Sequence, residues 1–123
     1  MLHRGFAEEN YLEAIYILSL ENEEVRNIDI ANYLDYKRPT VTRMLKKLDN
    51  KGRIIYGDDK IVRLTDESKI FCEKMYKKHM YLTSVFIKLG VNPKQAESEA
   101  CLIEHVISDE TFKKLKKHFN ETL

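Results

Sequence analysis

The sequence predicts a mainly α-helical chain with one small β-hairpin near its middle. Three observations carry that expectation. Apolar residues recur at three- and four-residue spacing through most of the chain. Glycine (4) and proline (2) are scarce, which leaves few breakers inside helices. Two short β-prone runs, Ile54-Ile55-Tyr56 and Ile61-Val62-Arg63-Leu64, flank Gly57-Asp58-Asp59-Lys60, whose residue types suit a tight turn. With 43% hydrophobic and 33% charged residues, the chain can pack a core and does not read as disordered.

The elements follow in order. Tyr11, Leu12, Ile15, Tyr16, Leu18 and Leu20 give a first helix at residues 7–20. Polar residues 21–24 break it, and a strand-like entry at Val25 leads into a helix of about two turns ending near Leu34. Asp35-Tyr36-Lys37 makes a turn, and Pro39 stands where a helix starts, because its missing N–H is not needed in the first position. That helix buries Val41, Leu45 and Leu48 and is closed by Gly52 as a left-handed cap. After the hairpin, Thr65 caps a long helix with Ile70, Met75, Leu82, Phe86 and Leu89 inside, stopped by Gly90. Asn92-Pro93 opens another, running to about Ile107, and Ser108 caps a last helix with Phe112, Leu115 and Phe119 inside.

Helix, turn, second helix, then hairpin is the order of a winged helix-turn-helix. The expected division is a DNA-binding domain at 1–65 and a helical domain at 66–123. Charge supports the first. The net charge is only +1, yet residues 37–63 hold nine bases against three acids, so that stretch carries +6 and the remainder −5. A basic middle on an acidic body suits a polyanion partner. On the helix after the turn, Thr40 and Thr42 are short enough for close approach, while Arg38 and Arg43 reach guanine or phosphate. Lys37, Lys46 and Lys47 would touch phosphates, Pro39 sets the helix start, and Lys60 tips the wing.

The second half carries a different constellation. Cys101, Glu104 and His105 share one helical face at i, i+3 and i+4, bringing thiolate, carboxylate and imidazole together. Glu97 lies one turn earlier, His79 is a further ligand from the long helix, and Asn10 and Glu13 are spaced to join from the first. His3 and His118 read as structural. Cys72 and Cys101 lack the CxxC spacing of a zinc ribbon, and no disulfide is expected. Catalysis fits poorly: there is no HExxH, no glycine-rich phosphate loop and no paired carboxylates in a cleft. No apolar run approaches the ~20 residues of a membrane span and no signal-peptide pattern opens the chain, so a cytoplasmic protein is expected.

These residues resemble the diphtheria toxin repressor and manganese transport regulator family over nearly the whole chain. The resemblance is carried by Asn10-Tyr11-Leu12-Glu13-Ala14-Ile15-Tyr16, by Asp29-Ile30-Ala31 with Arg38-Pro39-Thr40-Val41-Thr42, by Leu64-Thr65, and by Lys78-His79. Most specific is Glu99-Ala100-Cys101-Leu102-Ile103-Glu104-His105-Val106-Ile107-Ser108-Asp109-Glu110. The resemblance implies a homodimeric repressor that binds palindromic double-stranded DNA when Fe(II) or Mn(II) is bound, with Co(II), Ni(II) or Zn(II) as substitutes. It assigns dimerisation and metal binding to the helical domain at 66–123. It implies ligand roles for His79, Glu104 and His105 in both branches of the family, for Cys101 as in the iron-type branch, and for Glu13 as in the manganese-type branch. Asn10 departs from the family's Met or Asp. Thr83 replaces a carboxylate, and Glu97 a histidine, of the iron-type ancillary site. The set is therefore a hybrid, and the SH3-like third domain of iron-type members is not expected. The implied mechanism is that metal ties the first helix to the dimerisation helices and sets the spacing of the two recognition helices. The alternatives are a metal-independent winged-helix regulator, or a metal-handling or redox protein that does not bind DNA.

Overall fold

The computed structural model describes residues 6–122, so His3 lies outside the described residues. The elements are α1 (Ala7–Glu21), α2 (Asn27–Leu34), α3 (Arg38–Asn50), β1 (Ile54–Tyr56), β2 (Val62–Leu64), α4 (Asp66–Lys88), α5 (Pro93–Ile103) and α6 (Asp109–Thr122). Two compact units divide within α4, between Lys74 and Met75.

In the first unit α1, α2, α3 and the hairpin surround one apolar core. Leu12, Ile15, Ile30, Val41, Leu45, Leu48 and Ile54 are all at most 1% exposed in it. Val41, Leu45 and Leu48 form the inner stripe of α3, and its basic residues Arg38, Arg43, Lys46 and Lys47 face outward. Gly52 adopts φ 73°, and the Arg53 N–H donates back to the Leu48 carbonyl (2.9 Å), which ends α3 in a left-handed turn. Pro39 occupies the second position of α3 rather than the first, because the extended residue before the helix is Lys37 and Arg38 is already helical. No strand forms at Val25. Instead its carbonyl accepts from the Val62 N–H (2.7 Å), which ties the entry to α2 against the wing.

The wing is a two-stranded antiparallel ribbon with Ile54 opposite Leu64, Ile55 opposite Arg63 and Tyr56 opposite Val62. Ile61 stands just outside β2. Its N–H donates to Asp59 Oδ1 (3.0 Å), and Arg63 Nη1 lies 3.2 Å from Oδ2. The Ile61 amide, followed by Arg63, holds the Asp59 carboxyl below its usual value. The wing turn therefore keeps this tie at neutral pH and loses it only as the pH falls through that lowered value.

In the second unit Leu82, Ala100 and Phe112 form the buried centre, with Tyr81, Phe86, Ile103, Ile107 and Leu115 packed on it. Asn92 Oδ1 accepts from the Lys94 and Gln95 amides, and Ser108 Oγ from the Thr111 amide. Both expected caps are therefore made. His118 packs edge-on against Phe119.

Three apolar or boundary expectations change. Ile70 and Leu89 are exposed, not core. The buried residues of α4 run Ser68, Cys72, Met75, Leu82, Val85, and Ile70 lies two residues off that stripe, roughly 200° around the helix. Leu89 sits just past the end of α4, and Leu20, near the end of α1, is exposed as well. The third change is α5, which stops at Ile103 rather than Ile107. Residues 104–106 continue as a turn in which the Val106 and Ile107 amides both bond to the Ile103 carbonyl (3.0 Å each).

Candidate metal centre and nucleic-acid interface

The metal-ligating side chains of the second unit converge at the end of α5. One donor atom each from Cys101, Glu104 and His105 lies within 4.8 Å of the others. Glu104 Oε2 lies 3.2 Å from His79 Nδ1, and Oε1 lies 3.8 Å from His105 Nε2. Glu104 is 1% exposed, and neither carboxylate oxygen has a hydrogen-bond partner. An ionised carboxylate shut away from water in this manner is costly unless a cation compensates it. His79 stands within ion-pairing distance of one carboxylate oxygen, and His105 stands somewhat further from the other. Thiolate, carboxylate and two imidazoles are a good set for a divalent transition metal, so these residues fit the ion.

The other expected ligands are Glu97, Asn10 and Glu13. Glu97 is exposed and is not among the grouped donors of the described residues. The helix puts it a full turn before Cys101, on its solvent side. Asn10 and Glu13 lie on α1 in the first unit; Asn10 is buried and its Nδ2 finds no hydrogen-bond partner. Thr83 Oγ1 is likewise buried without a partner. Cys72 belongs to the apolar core of the first unit and not to this centre. Burial, with the Glu13 carboxylate adding and Arg53 opposing, pushes its thiol up to about 12.

The basic face is where the sequence places it. Lys37, Arg38, Pro39, Thr40, Arg43, Lys46 and Lys47 are all exposed along α3 and its entry. No side chain caps the start of α3, which leaves the positive end of the helix open toward an anion. Arg43 Nη2 lies 3.4 Å from Thr40 Oγ1, so the two form one polar patch. Lys60 at the wing turn has φ 61°, and its ammonium stands 5.4 Å from the Tyr56 ring centre.

Thr42 is turned inward. Its hydroxyl donates to the Arg38 carbonyl (3.0 Å) and accepts from Asn27 Nδ2 (2.8 Å), and that same amide donates to the Arg38 carbonyl (3.2 Å). Thr42 therefore braces α3 on α2 instead of offering a free hydroxyl to DNA. Asn27 escaped the sequence reading, since an asparagine at a helix start reads as a local cap. Arg26 escaped it too: its Nη1 donates to the Asp59 carbonyl (3.1 Å) and joins α2 to the wing turn.

Residues 6–62 match the family profile described as iron dependent repressor, N-terminal DNA binding domain, and residues 65–122 the one described as metal binding and dimerisation domain. An HTH-type transcriptional regulator of Methanocaldococcus jannaschii is 34% identical over 110 residues, covering 88% of each chain. The transcriptional regulator MntR of Salmonella typhimurium is 34% identical over 109 residues, covering 89% of this chain and 69% of its own. Among solved structures, the manganese regulator SloR superposes with a TM-score of 0.78 at 29% identity, covering 92% of this chain. The chain spans about half of that structure, 53%. No helix among the described residues is long and apolar enough to cross a membrane. The chain belongs to the iron-dependent repressor family, whose members are metal-dependent, DNA-binding transcriptional repressors that dimerise.

Proposed function

We propose that this chain is a cytoplasmic, non-catalytic repressor whose operator affinity is set by a divalent ion held at His79, Cys101, Glu104 and His105. The observation that carries the reading is the Glu104 carboxylate, buried without a hydrogen-bond partner between two imidazoles and beside a thiol. Glu13 is proposed as a further ligand on the family resemblance, and Asn10 on its burial. Glu97, exposed, is assigned no ligand role. The ion is Fe(II) or Mn(II); the Cys101 sulfur favours Fe(II), Co(II), Ni(II) or Zn(II), and the hard oxygen of Glu104 favours Mn(II).

Bound there, the ion supplies the positive charge that the buried Glu104 carboxylate lacks. The chain's own residues do the rest. Arg38, Thr40 and Arg43 at the start of α3 read base edges in the major groove, and Lys37, Lys46, Lys47 and Lys60 hold phosphates. Met80, Ile87, Leu89, Leu102 and Val106 are large apolar residues left exposed in the second unit, which suits a dimerising surface. A dimer would present two recognition helices to a palindrome.

The test is fluorescence anisotropy on a palindromic operator under anaerobic conditions, first with chelator and then with Fe(II), Mn(II), Co(II) and Zn(II). Metal is expected to tighten binding about tenfold or more, ~1.4 kcal/mol or above. Tight binding that ignores metal would remove the sensor and leave a metal-independent winged helix. In the same assay Arg43→Ala is expected to cost about 1–3 kcal/mol of specific affinity without altering metal uptake. Full affinity and selectivity in that variant would take α3 out of the interface.

A further inference from the structure

We infer that Lys78 is a positioning residue for the metal centre, gripping the turn that presents Glu104 and His105 through the Ile107 carbonyl and Asp109. The inference rests on the metal-site reading above. Lys78 is a lysine held indoors, with its side chain only 12% exposed. Its ammonium donates to the Ile107 carbonyl (3.0 Å) and pairs with Asp109 Oδ1 (3.0 Å). A cation taken out of water must repay its desolvation, and here it does so on one short segment of chain.

That segment needs holding. Regular hydrogen bonding of α5 ends at Ile103, and residues 104–106 form a turn whose Val106 and Ile107 amides share a single acceptor. Both Glu104 and His105 stand on this turn. Ile103 and Ile107 pack on the Leu82, Ala100 and Phe112 cluster and supply an apolar anchor without direction. Lys78 supplies the directional tie. It binds the Ile107 carbonyl just after the turn and the first residue of α6, so it closes the segment from its far end.

The neighbour of Lys78 makes the purpose specific. His79 directs Nδ1 at Glu104 Oε2 from 3.2 Å. Two consecutive residues of α4 thus meet the same turn, one on its backbone and one on its carboxylate. The length of the Lys78 grip therefore fixes how far His79 stands from Glu104 and His105. Outer contacts that orient ligands typically carry 10–100-fold in metal affinity.

The experiment uses the full chain, with Co(II) as the spectroscopic probe. For the parent, Lys78→Met, Lys78→Arg and Asp109→Asn, three quantities are measured: the Co(II) dissociation constant by chelator competition, the thiolate-to-Co(II) charge-transfer band of Cys101, and amide exchange at residues 105–107 in chelator. Lys78→Met is expected to weaken Co(II) binding about 10–100-fold, reduce the band and speed exchange in the turn while leaving amides 41–48 as in the parent. Lys78→Arg, which keeps the cation and its donors, should lie closer to the parent on all three. A Lys78→Met protein that merely melts lower, yet binds Co(II) within about twofold of the parent with the same band, would overturn the inference and make the pair a structural clamp. Should Lys78→Met fail to fold, Asp109→Asn decides: weaker Co(II) binding supports the grip and parental binding overturns it. A parent that binds no Co(II) would instead overturn the metal-site reading itself.

Discussion

Glu104→Gln is expected to abolish metal-dependent operator binding while leaving the metal-free protein at least as stable as the parent. The two effects have opposite signs because one side chain serves two states. With an ion at the proposed centre, the carboxylate would be an anionic ligand beside the Cys101 thiolate, and an amide of the same size would not supply its charge. The loss should be about 100-fold or more in metal affinity, ~2.7 kcal/mol, and operator binding at fixed metal should fall with it. Without the ion, the same carboxylate is buried and accepts no hydrogen bond, with His79 and His105 beside it. Removing its charge should then cost nothing and could add about 1–3 kcal/mol. Thermal melting in chelator and Co(II) titration read the two effects separately. A variant that melts several degrees lower in chelator would mean that Glu104 is a satisfied structural group and not a waiting ligand.

Leu45→Ala is expected to destabilise the first unit by about 2–5 kcal/mol, a large share of the roughly 5–15 kcal/mol available to a domain. Leu45 is 0% exposed, and α3 is held by it together with Val41 and Leu48. Because the basic residues lie on the opposite face of that helix, loosening the stripe should also weaken operator binding without touching a single DNA contact. Leu20→Ala is the control, on an exposed leucine at the end of α1, and should stay within about 0.5 kcal/mol. Urea denaturation followed by circular dichroism measures both. Equal effects for the two leucines would refute the assignment of core and surface.

That pair also illustrates what a sequence can and cannot disclose. Thr65, Asn92, Ser108, Gly52 and Gly90 act within a few residues of themselves, so the helix ends that they write are legible, and the structure makes the caps and left-handed turns they predict. The Cys101, Glu104 and His105 cluster is legible for the same reason, since i, i+3, i+4 spacing is a local fact. Core and surface are less so. Ile70 and Leu89 read as core because α4 is long enough for several apolar stripes, and only packing in each unit decides which is buried. The end of α5 carries no glycine or proline to announce it. Least legible are contacts that depend on tertiary placement: Asn27 reaching Thr42 and Arg38 across the helix-turn-helix, and Lys78 reaching Ile107. Neither leaves a pattern along the chain.

The contrast between the two sulfurs has a practical side. Cys72 is 1% exposed with its thiol pushed up to about 12, so at neutral pH it is both shielded and protonated. Cys101 is half-buried at the end of α5 among the ligands of the proposed centre. An alkylating reagent therefore meets a shielded, protonated Cys72 and a more accessible Cys101, without any residue having been engineered away. With Cys101 as a ligand of the proposed centre, mass added by a brief pulse of iodoacetamide would count vacant centres, giving the chain its own occupancy meter.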